Sequence, residues 1–292
     1  MSRLSEAIAS GKFFVTGEIG PPKGVDLTDV DKEAEHLRDK VVAINVTDIQ
    51  SSVMRIGSMA ICHRLLQMGL EPIFQMTCRD RNRLALQSDL LSAFVLGIRN
   101  VLALTGDHPS LGDHPQAKPV FDLDSVSLLN TISGLENGKD ITGNDLSGSP
   151  QFCKGAVVSP CADPLEPQIF KLESKVEAGA QFIQTQAVYD VGRFEKFMKR
   201  IKHIRVPVFV GIVLLKSPAM AKFMNANVAG ISVPDSIIKE IADVDKKDRR
   251  RKSVEIAARL IREMKDMCRG AHIMPLGWTA EVPKIIEEAG LA

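Results

Sequence analysis

The amino-acid sequence predicts a single-domain (β/α)8 barrel over residues 1–292. Three observations lead to this prediction. Short apolar segments alternate with amphipathic segments, eight apolar segments can be counted, and the chain is near the ~250 residues typical of the fold. A doubly wound open sheet is the alternative, because hydrophobic periodicity does not distinguish a closed parallel sheet from an open one.

The predicted strands are short runs of mainly apolar residues. Several are continuously apolar, as expected of strands that are buried on both faces of a parallel sheet. In chain order they are Phe13–Val15, Val41–Val46, Pro72–Gln75, Val101–Leu104, Gly155–Val158, Phe182–Thr185, Pro207–Ile212 and His272–Met274.

Amphipathic patterns between these strands predict the helices. In the segment SVEIAARLIREMKDM, apolar residues recur at intervals of about four, which places them on one helix face. Asp190 is predicted to cap the helix that follows it.

Two connections between the predicted elements are long. Residues 105–122 follow the fourth strand, on the face where barrel active sites lie, whereas residues 136–153 belong to the opposite face and are predicted to be a connector.

Composition argues against several classes of protein. The chain has 37 Lys and Arg against 36 Asp and Glu, so its charge gives no indication of nucleic acid as a partner. No apolar stretch reaches about 18 residues and no signal-peptide core is seen, so we expect a cytoplasmic protein without membrane insertion. The five cysteines are dispersed and are predicted to be reduced thiols. The basic run Lys246–Lys252 is predicted to start a solvated helix, with a docking patch as the alternative.

The residues at the ends of the predicted strands indicate the kind of site. They form a ring of carboxylate, amide and hydroxyl groups with no conspicuous histidine, which argues against a zinc hydrolase. No lysine ends an early strand, which argues against a Schiff-base aldolase. Such a ring suits a large polar heterocycle. The glycine-rich motifs of Rossmann folds and P-loops are absent from the sequence, so a nicotinamide bound in Rossmann fashion is not expected.

The motif Gly-Asp-His-Pro occurs twice, at residues 106–109 and 112–115. Two Asp-His pairs could bind a metal ion. Alternatively, one Asp could lie at the end of the fourth strand and take part in the chemistry, with the remainder serving as loop. These residues alone leave both interpretations open.

Four segments, in this order along the chain, resemble the methylenetetrahydrofolate reductase family. They are TGEIGPPKG, with its Glu-x-x-Pro-Pro pattern, QMTCRDRNR, ALTGD, and KVEAGAQFIQTQAVYD, with its Ala-Gly-Ala and Thr-Gln pairs. The resemblance runs from residue 13 to about residue 190 and more loosely to the end. It implies a barrel that holds a flavin, FAD in most of the family, and that reduces 5,10-methylenetetrahydrofolate to 5-methyltetrahydrofolate.

The resemblance also implies roles for individual residues. Glu18 would protonate N10 of the substrate and open its five-membered ring to a 5-iminium cation, which takes a hydride from N5 of the reduced flavin. Such an acid needs a pKa raised by burial, and the apolar residues before Glu18 allow burial. Asp107 would face the flavin and the folate, where its negative charge disfavours an anionic reduced flavin and favours the iminium cation. Metal binding by the repeat is then not expected, and its second copy is predicted to be a turn.

Further matched positions would bind ligands. Gln186 would hydrogen-bond the pterin, Lys175 would meet a flavin phosphate, and Gly106 would let the backbone approach the ring system closely. The full set of predicted flavin contacts is Thr47, Gln75, Thr105, Gly106, Asp107, Ser159, Asp163, Lys175 and Ala180.

The sequence also departs from the family. Four positions differ from the residues usual in the family, namely Gln75, which replaces a third-strand His, and Ser159, Asp163 and Ser174. Several of the usual side chains serve the phosphate and adenosine of FAD, so FMN is an alternative cofactor. The segment GIVLLKSPAMAKF lacks the Phe that stacks on ligands in NADH-using relatives, and Trp278 stands where a folate-supporting Arg is usual. In these departures the sequence resembles the acetogen-type enzymes, whose flavin subunit pairs with an iron–sulfur, zinc-binding partner.

Two functional hypotheses result. The first is a flavin-dependent methylenetetrahydrofolate reductase subunit that forms an oligomer and receives electrons through an iron–sulfur partner subunit. The alternative is a non-catalytic subunit that binds folate or flavin in a larger complex. The presence of Glu18, Asp107 and Gln186 together favours the enzyme.

Overall fold

The computed structural model describes residues 1–291 and contains a closed barrel of eight parallel strands. Each strand pairs with the next along the chain, and the eighth closes the barrel against the first. The strands are β1 (Phe14–Ile19), β2 (Ala43–Val46), β3 (Pro72–Thr77), β4 (Asn100–Leu104), β5 (Cys153–Val158), β6 (Phe182–Ala187), β7 (Val208–Val213) and β8 (Gly270–Met274). The predicted barrel is confirmed, and the open sheet is wrong.

Helices follow every strand, and one precedes the barrel. They are α1 (Arg3–Ser10), α2 (Thr28–Leu37), α3 (Ser58–Gln67), α4 (Arg83–Val95), α5 (Ser125–Glu136), α6 (Glu166–Glu177), α7 (Val191–Arg200), α8 (Pro218–Asn227), α9 (Asp235–Ala242), α10 (Arg249–Met264) and α11 (Val282–Glu288). The predicted cap is confirmed, since the Asp190 side chain accepts the backbone N–H of Arg193 at 2.9 Å. The basic run does start a helix, α10, where Arg251 and Lys252 pair with Glu255.

Several strands extend beyond their predicted ends. The apolar run predicts that β1 ends at Val15, but the strand continues through Thr16, Gly17 and Glu18 to Ile19. Val15 and Ile19 pack in the outer core against the helices, and the polar side chains between them face the barrel interior. An apolar run therefore underestimates a strand wherever the interior of the barrel is polar.

A second, smaller core closes the N-terminal end of the barrel. Leu4 of α1 packs there with the rings of Phe14, Phe182 and Phe209, whose centroids lie 4.8 Å and 5.5 Å apart along the row. Gly155 of β5 makes this packing possible, because a Cβ atom at that position would lie 2.3 Å from the Phe182 ring. This apolar plug leaves the interior of the barrel open toward the C-terminal ends of the strands.

The five cysteines are free thiols, as predicted. Burial raises the pKa of both Cys78 and Cys153 to about 12, so these thiols stay protonated at neutral pH. Within residues 1–291, the helices are all too short or too polar to cross a membrane.

Candidate active site

A cavity of about 430 Å³ opens at the C-terminal ends of the strands, a size typical of ligand pockets. Nine of the eleven predicted site residues line it, namely Glu18, Thr47, Gln75, Thr105, Gly106, Asp107, Ser159, Lys175 and Gln186. Strands from distant parts of the sequence contribute these side chains because parallel strands end at the same face of the barrel.

Two predicted flavin contacts lie away from this cavity. Asp163 is exposed on the connection between β5 and α6. Ala180 is buried just before β6 begins, at the opposite end of the barrel from the cavity. Neither residue lines the candidate site.

Glu18 lies on the inner face of β1 and is 7% exposed, so the burial that the sequence allowed is observed. Its Oε2 atom accepts a hydrogen bond from Gln75 Nε2 at 3.3 Å. The same oxygen lies 3.5 Å from His272 Nε2. Glu18 thus reaches the cavity wall as a buried carboxyl group with two nitrogen neighbours.

His272 corrects the prediction that the strand ends hold no conspicuous histidine. It lies inside the barrel on β8, is 3% exposed and lines the cavity next to Glu18. Its Nδ1 atom lies 3.0 Å from Thr16 Oγ1 and 3.3 Å from Asn45 Nδ2. From the sequence, His272 is predicted only to begin a strand. Side chains alternate between the two faces of a strand, so His272 and Met274 lie on one face of β8. This alternation is the signal that would have identified His272.

Asp48 at the end of β2 is a structural carboxylate. It accepts hydrogen bonds from the backbone N–H and the hydroxyl of Thr77, both at 2.9 Å, and pairs with Arg81 at 2.7 Å. Burial alone would raise the pKa of Asp48, but Arg81 and Thr77 outweigh burial and hold that pKa below its ordinary value. Asp48 therefore remains charged at neutral pH and links the ends of β2 and β3.

The first Gly-Asp-His-Pro copy follows β4 at the cavity rim. The side chain of Asp107 is exposed there, and its backbone carbonyl accepts hydrogen bonds from Ser52 Oγ at 3.0 Å and from Arg79 Nη1 at 3.4 Å. Gly106 has a φ of +93°, and a Cβ atom at this position would lie 3.1 Å from the Cβ atoms of Thr77 and Arg79. The backbone conformation and the close packing together favour glycine.

The second Gly-Asp-His-Pro copy connects neighbouring loops through the side chain of Asp113. Asp113 accepts the backbone N–H of Met54 at 2.9 Å and pairs with Lys23, which comes from the loop after β1. Lys23, His114 and the Met54 N–H hold the pKa of Asp113 well below its usual range. Over residues 1–291, no set of three His, Cys, Asp or Glu side chains is arranged to hold a metal ion.

Lys175 reaches the cavity from α6. Its ammonium group donates a hydrogen bond to the carbonyl of Val157 at 2.7 Å, and the residue is 6% exposed. Burial lowers the pKa of Lys175 to about 8, and the charge of nearby Lys171 contributes to the shift. Lys171 also lines the cavity, so two lysines one helical turn apart meet the same space.

Two buried polar side chains in the cavity wall lack partners. Neither the nitrogen nor the oxygen of the Gln184 amide has a hydrogen-bond partner among residues 1–291, and the same holds for the Thr47 hydroxyl. Gln184 is 1% exposed and Thr47 is 3% exposed. An unsatisfied buried polar group costs roughly 1–3 kcal/mol. These groups therefore favour a polar ligand that supplies both donors and acceptors.

A second cavity of about 320 Å³ adjoins the first and shares Glu18 and Gln50 with it. Glu33 and Arg55 line it, together with the segment after β8 that precedes Trp278. Glu18 thus stands at the boundary between two neighbouring spaces.

The Trp278 ring beside the second cavity is already in contact with cations. The ammonium group of Lys216 lies 5.2 Å from the ring centroid, and the guanidinium group of Arg250 lies 4.8 Å from it. Arg250 belongs to the basic run at the start of α10, so this part of the run packs against an aromatic ring.

Comparison with known proteins identifies the family of the chain. Methylenetetrahydrofolate reductase 2 of Schizosaccharomyces pombe is 28% identical over 99% of this chain, which spans 47% of the length of that relative. The 5,10-methylenetetrahydrofolate reductase of Pectobacterium carotovorum subsp. carotovorum is 27% identical over 86% of this chain and 81% of its own length. This chain thus spans about half or less of the length of the eukaryotic relatives it matches.

A solved structure shares the fold. It is an uncharacterized protein from Clostridium thermocellum that binds two copies of 5-methyl-5,6,7,8-tetrahydrofolic acid, with a TM-score of 0.68, 16% identity and complete coverage of both chains. The model of the family described as methylenetetrahydrofolate reductase matches residues 3–290. Because this match spans nearly the whole sequence, the chain belongs to the methylenetetrahydrofolate reductase family.

Proposed function

We propose that this chain reduces 5,10-methylenetetrahydrofolate to 5-methyltetrahydrofolate with the help of a bound flavin nucleotide. The observation that carries the proposal is the buried carboxyl group of Glu18 at the boundary of two adjoining cavities. Family membership supports the reaction, and the folate bound by the Clostridium thermocellum protein supports a folate as ligand. A non-catalytic binding subunit would have no need for a buried acid at this boundary.

The residues that line the larger cavity suit a flavin nucleotide. The unpartnered groups of Gln184 and Thr47 offer hydrogen bonds to the edge of a polar ring system. Gly106 lines the cavity in a backbone conformation that favours glycine, and the Lys175 ammonium group suits a phosphate. When bound and reduced, a flavin supplies the hydride for this reaction.

The protein side chains would prepare the folate for reduction. Glu18 donates a proton to N10, so that the N10–CH2 bond breaks and the carbon becomes a 5-iminium cation ready for hydride. Asp107 at the rim places a negative charge near this cation, and Gln186 presents its amide to the pterin. The apolar plug closes the N-terminal end of the barrel and Glu18 is buried, so ligands that fill the two cavities would keep bulk water from the proton that is transferred.

The test of this function is anaerobic mixing of the purified, flavin-loaded chain with 5-methyltetrahydrofolate. The reverse reaction should bleach the flavin absorbance and release 5,10-methylenetetrahydrofolate. A chain that binds flavin and folate but shows no bleaching would refute the proposed reaction and support the binding subunit.

Lys175 should make flavin binding depend on pH. Its pKa of about 8 in the free protein means that the ammonium charge is present at pH 7 and is lost as the pH rises. A bound phosphate would hold the proton on Lys175, so the Kd of FMN should increase by up to about tenfold per pH unit above pH 8. Fluorescence titration with FMN between about pH 7 and pH 9 measures this change.

Riboflavin provides the matched ligand, because it carries no phosphate and its Kd should stay nearly constant over the same pH range. Lys175→Met should weaken FMN binding at neutral pH by about tenfold or more and remove the pH dependence. If Lys171→Met removes the dependence and Lys175→Met leaves it, the phosphate belongs to Lys171 and the prediction is wrong.

Asp107→Asn should make the bound flavin easier to reduce. Removing a negative charge beside the ring stabilises the anionic reduced form, so the midpoint potential should rise while hydride delivery to folate slows. A spectroscopic redox titration of both proteins measures the potential. Asp113→Asn, in the other Gly-Asp-His-Pro copy, is the control and should leave the potential unchanged. An unchanged or lower potential in Asp107→Asn would place this carboxylate away from the flavin.

A further inference from the structure

A chain of hydrogen-bonded side chains inside the barrel leads from a backbone carbonyl to Glu18. Asn45 Nδ2 lies 3.5 Å from the carbonyl oxygen of Gly17 and 3.3 Å from His272 Nδ1. Asn45 Oδ1 accepts a hydrogen bond from Gln75 Nε2 at 3.4 Å. The four side chains of Asn45, Gln75, His272 and Glu18 are all buried.

The direction of each hydrogen bond follows from the carbonyl of Gly17. A carbonyl can only accept, so the Asn45 amide must turn its NH2 group toward it. The same NH2 group then faces His272 Nδ1, and the Asn45 oxygen faces the NH2 group of Gln75. If the Asn45 amide were turned over, its oxygen would face the carbonyl oxygen of Gly17, and its NH2 group would face the NH2 group of Gln75. Both contacts would be repulsive.

This arrangement fixes the tautomer of His272. Its Nδ1 atom faces the NH2 group of Asn45, which can only donate, and the Thr16 hydroxyl at 3.0 Å is free to donate as well. The Nδ1 atom must therefore present its lone pair, and the hydrogen of the neutral ring lies on Nε2. That Nε2–H group is the one that lies 3.5 Å from Glu18 Oε2.

We infer that His272 and Gln75 are positioning residues that keep the acid proton of Glu18 on Oε1. Gln75 donates a hydrogen bond to Oε2 at 3.3 Å, and the Nε2–H group of His272 lies 3.5 Å from the same oxygen, so a proton on Oε2 would lie close to other hydrogens. The free carboxyl proton therefore lies on Oε1, the oxygen left for a ligand in the cavities that Glu18 lines. The hydrogen bond from Gln75 is long, as catalytic hydrogen bonds often are before a ligand closes the site.

Gln75 would then have a defined role at a position where the chain departs from the family. Gln75 stands where a histidine is usual, and its amide still supplies an N–H group to Glu18. The inference rests on the proposed function for the identity of the proton acceptor, N10 of the folate. The tautomer of His272 does not depend on that function and can be measured without substrate.

The first test is NMR of the flavin-loaded chain labelled with 15N-histidine. Spectra that correlate ring nitrogens with ring hydrogens identify the tautomer, and His272→Gln identifies the signal among the six histidines. At neutral pH we expect a neutral ring that is protonated at Nε2. A ring protonated at Nδ1, or a doubly protonated ring, would overturn the inference whether or not the chain reduces folate.

The second test separates positioning from general damage to the fold. The flavin is first reduced with dithionite, and its oxidation by 5,10-methylenetetrahydrofolate is followed in a single turnover. Gln75→Leu should slow this oxidation by about tenfold or more, with little change in folate affinity. Oxidation of the same reduced flavin by a quinone should keep its rate, because it needs no protonated N10.

Gln75→His is the matched rescue variant, because its ring can present an N–H group to Glu18. It should recover most of the lost rate. An unchanged folate rate in Gln75→Leu, or an equal loss with the quinone, would overturn the positioning role. If the unaltered chain oxidises with the quinone but not with the folate, the proposed function fails, while the tautomer result stands separately.

Discussion

Replacing Glu18 with glutamine is expected to slow the reduction of 5,10-methylenetetrahydrofolate by about 10²- to 10⁴-fold, the usual range for the loss of a general acid. Glutamine keeps the size and the hydrogen-bonding capacity of the side chain, but it has no acidic proton for N10. Flavin binding should persist, because the predicted flavin contacts come from other residues of the cavity wall. Single-turnover oxidation of the reduced flavin by the folate measures the effect directly.

Glu33→Gln is the matched control for this prediction. Glu33 lines the second cavity but not the first, and burial raises its pKa, so it is a second carboxyl group near the site that could act as an acid. Its replacement should change the rate little. Near-normal turnover of Glu18→Gln, or an equal loss in Glu33→Gln, would refute the assignment of Glu18 as the acid.

The barrel and most of the cavity wall were predictable from the sequence for a physical reason. Continuously apolar runs of strand length, each followed by a helix, indicate parallel strands buried on both faces. In a closed sheet of such strands, the C-terminal ends converge on one face. Residues as far apart as Glu18, Asp107 and Gln186 could therefore be expected in one site, and all three line the cavity.

The interior of the barrel was less predictable, because its polar side chains lie within strands and not after them. Thr16, Asn45 and His272 occupy inward positions that an apolar run does not reveal. The apolar plug was missed for a related reason. Its phenylalanines come from three separate strands, and only the register of the closed sheet brings their rings together.

Trp278 shows what a linear sequence conceals about an aromatic residue. From the sequence, this ring could take the place of the phenylalanine that NADH-using relatives carry. In the structure, Lys216 and Arg250 both lie over it, and they come from separate segments of the long connection between β7 and β8. The residues that follow β7, Leu214 and Leu215, are buried and offer no exposed ring to a nicotinamide.

The isolated chain is therefore expected to oxidise NADH slowly or not at all. A nicotinamide needs a ring or an apolar surface against which to stack beside the flavin, and the Trp278 ring is already in contact with two cations. Within residues 1–291 no three Cys, His, Asp or Glu side chains are gathered to hold a metal, whereas an iron–sulfur cluster takes about four cysteine ligands gathered in space. We propose that electrons come from a reduced low-potential carrier or an iron–sulfur partner subunit.

Such a partner should approach the C-terminal face of the barrel, near residues 105–122 or 213–230, because electron transfer requires a short distance to the flavin. Anaerobic stopped-flow mixing of the flavin-loaded chain with NADH alone is the decisive measurement, and a chemically reduced ferredoxin-type carrier serves as the positive control. Bleaching by the carrier but not by NADH is the expected result. Full bleaching by NADH at a rate typical of enzyme turnover, about 1–10³ s⁻¹, would show that no partner is required. In that case Lys216→Ala and Arg250→Ala should alter the NADH rate, because they would change access to the Trp278 ring.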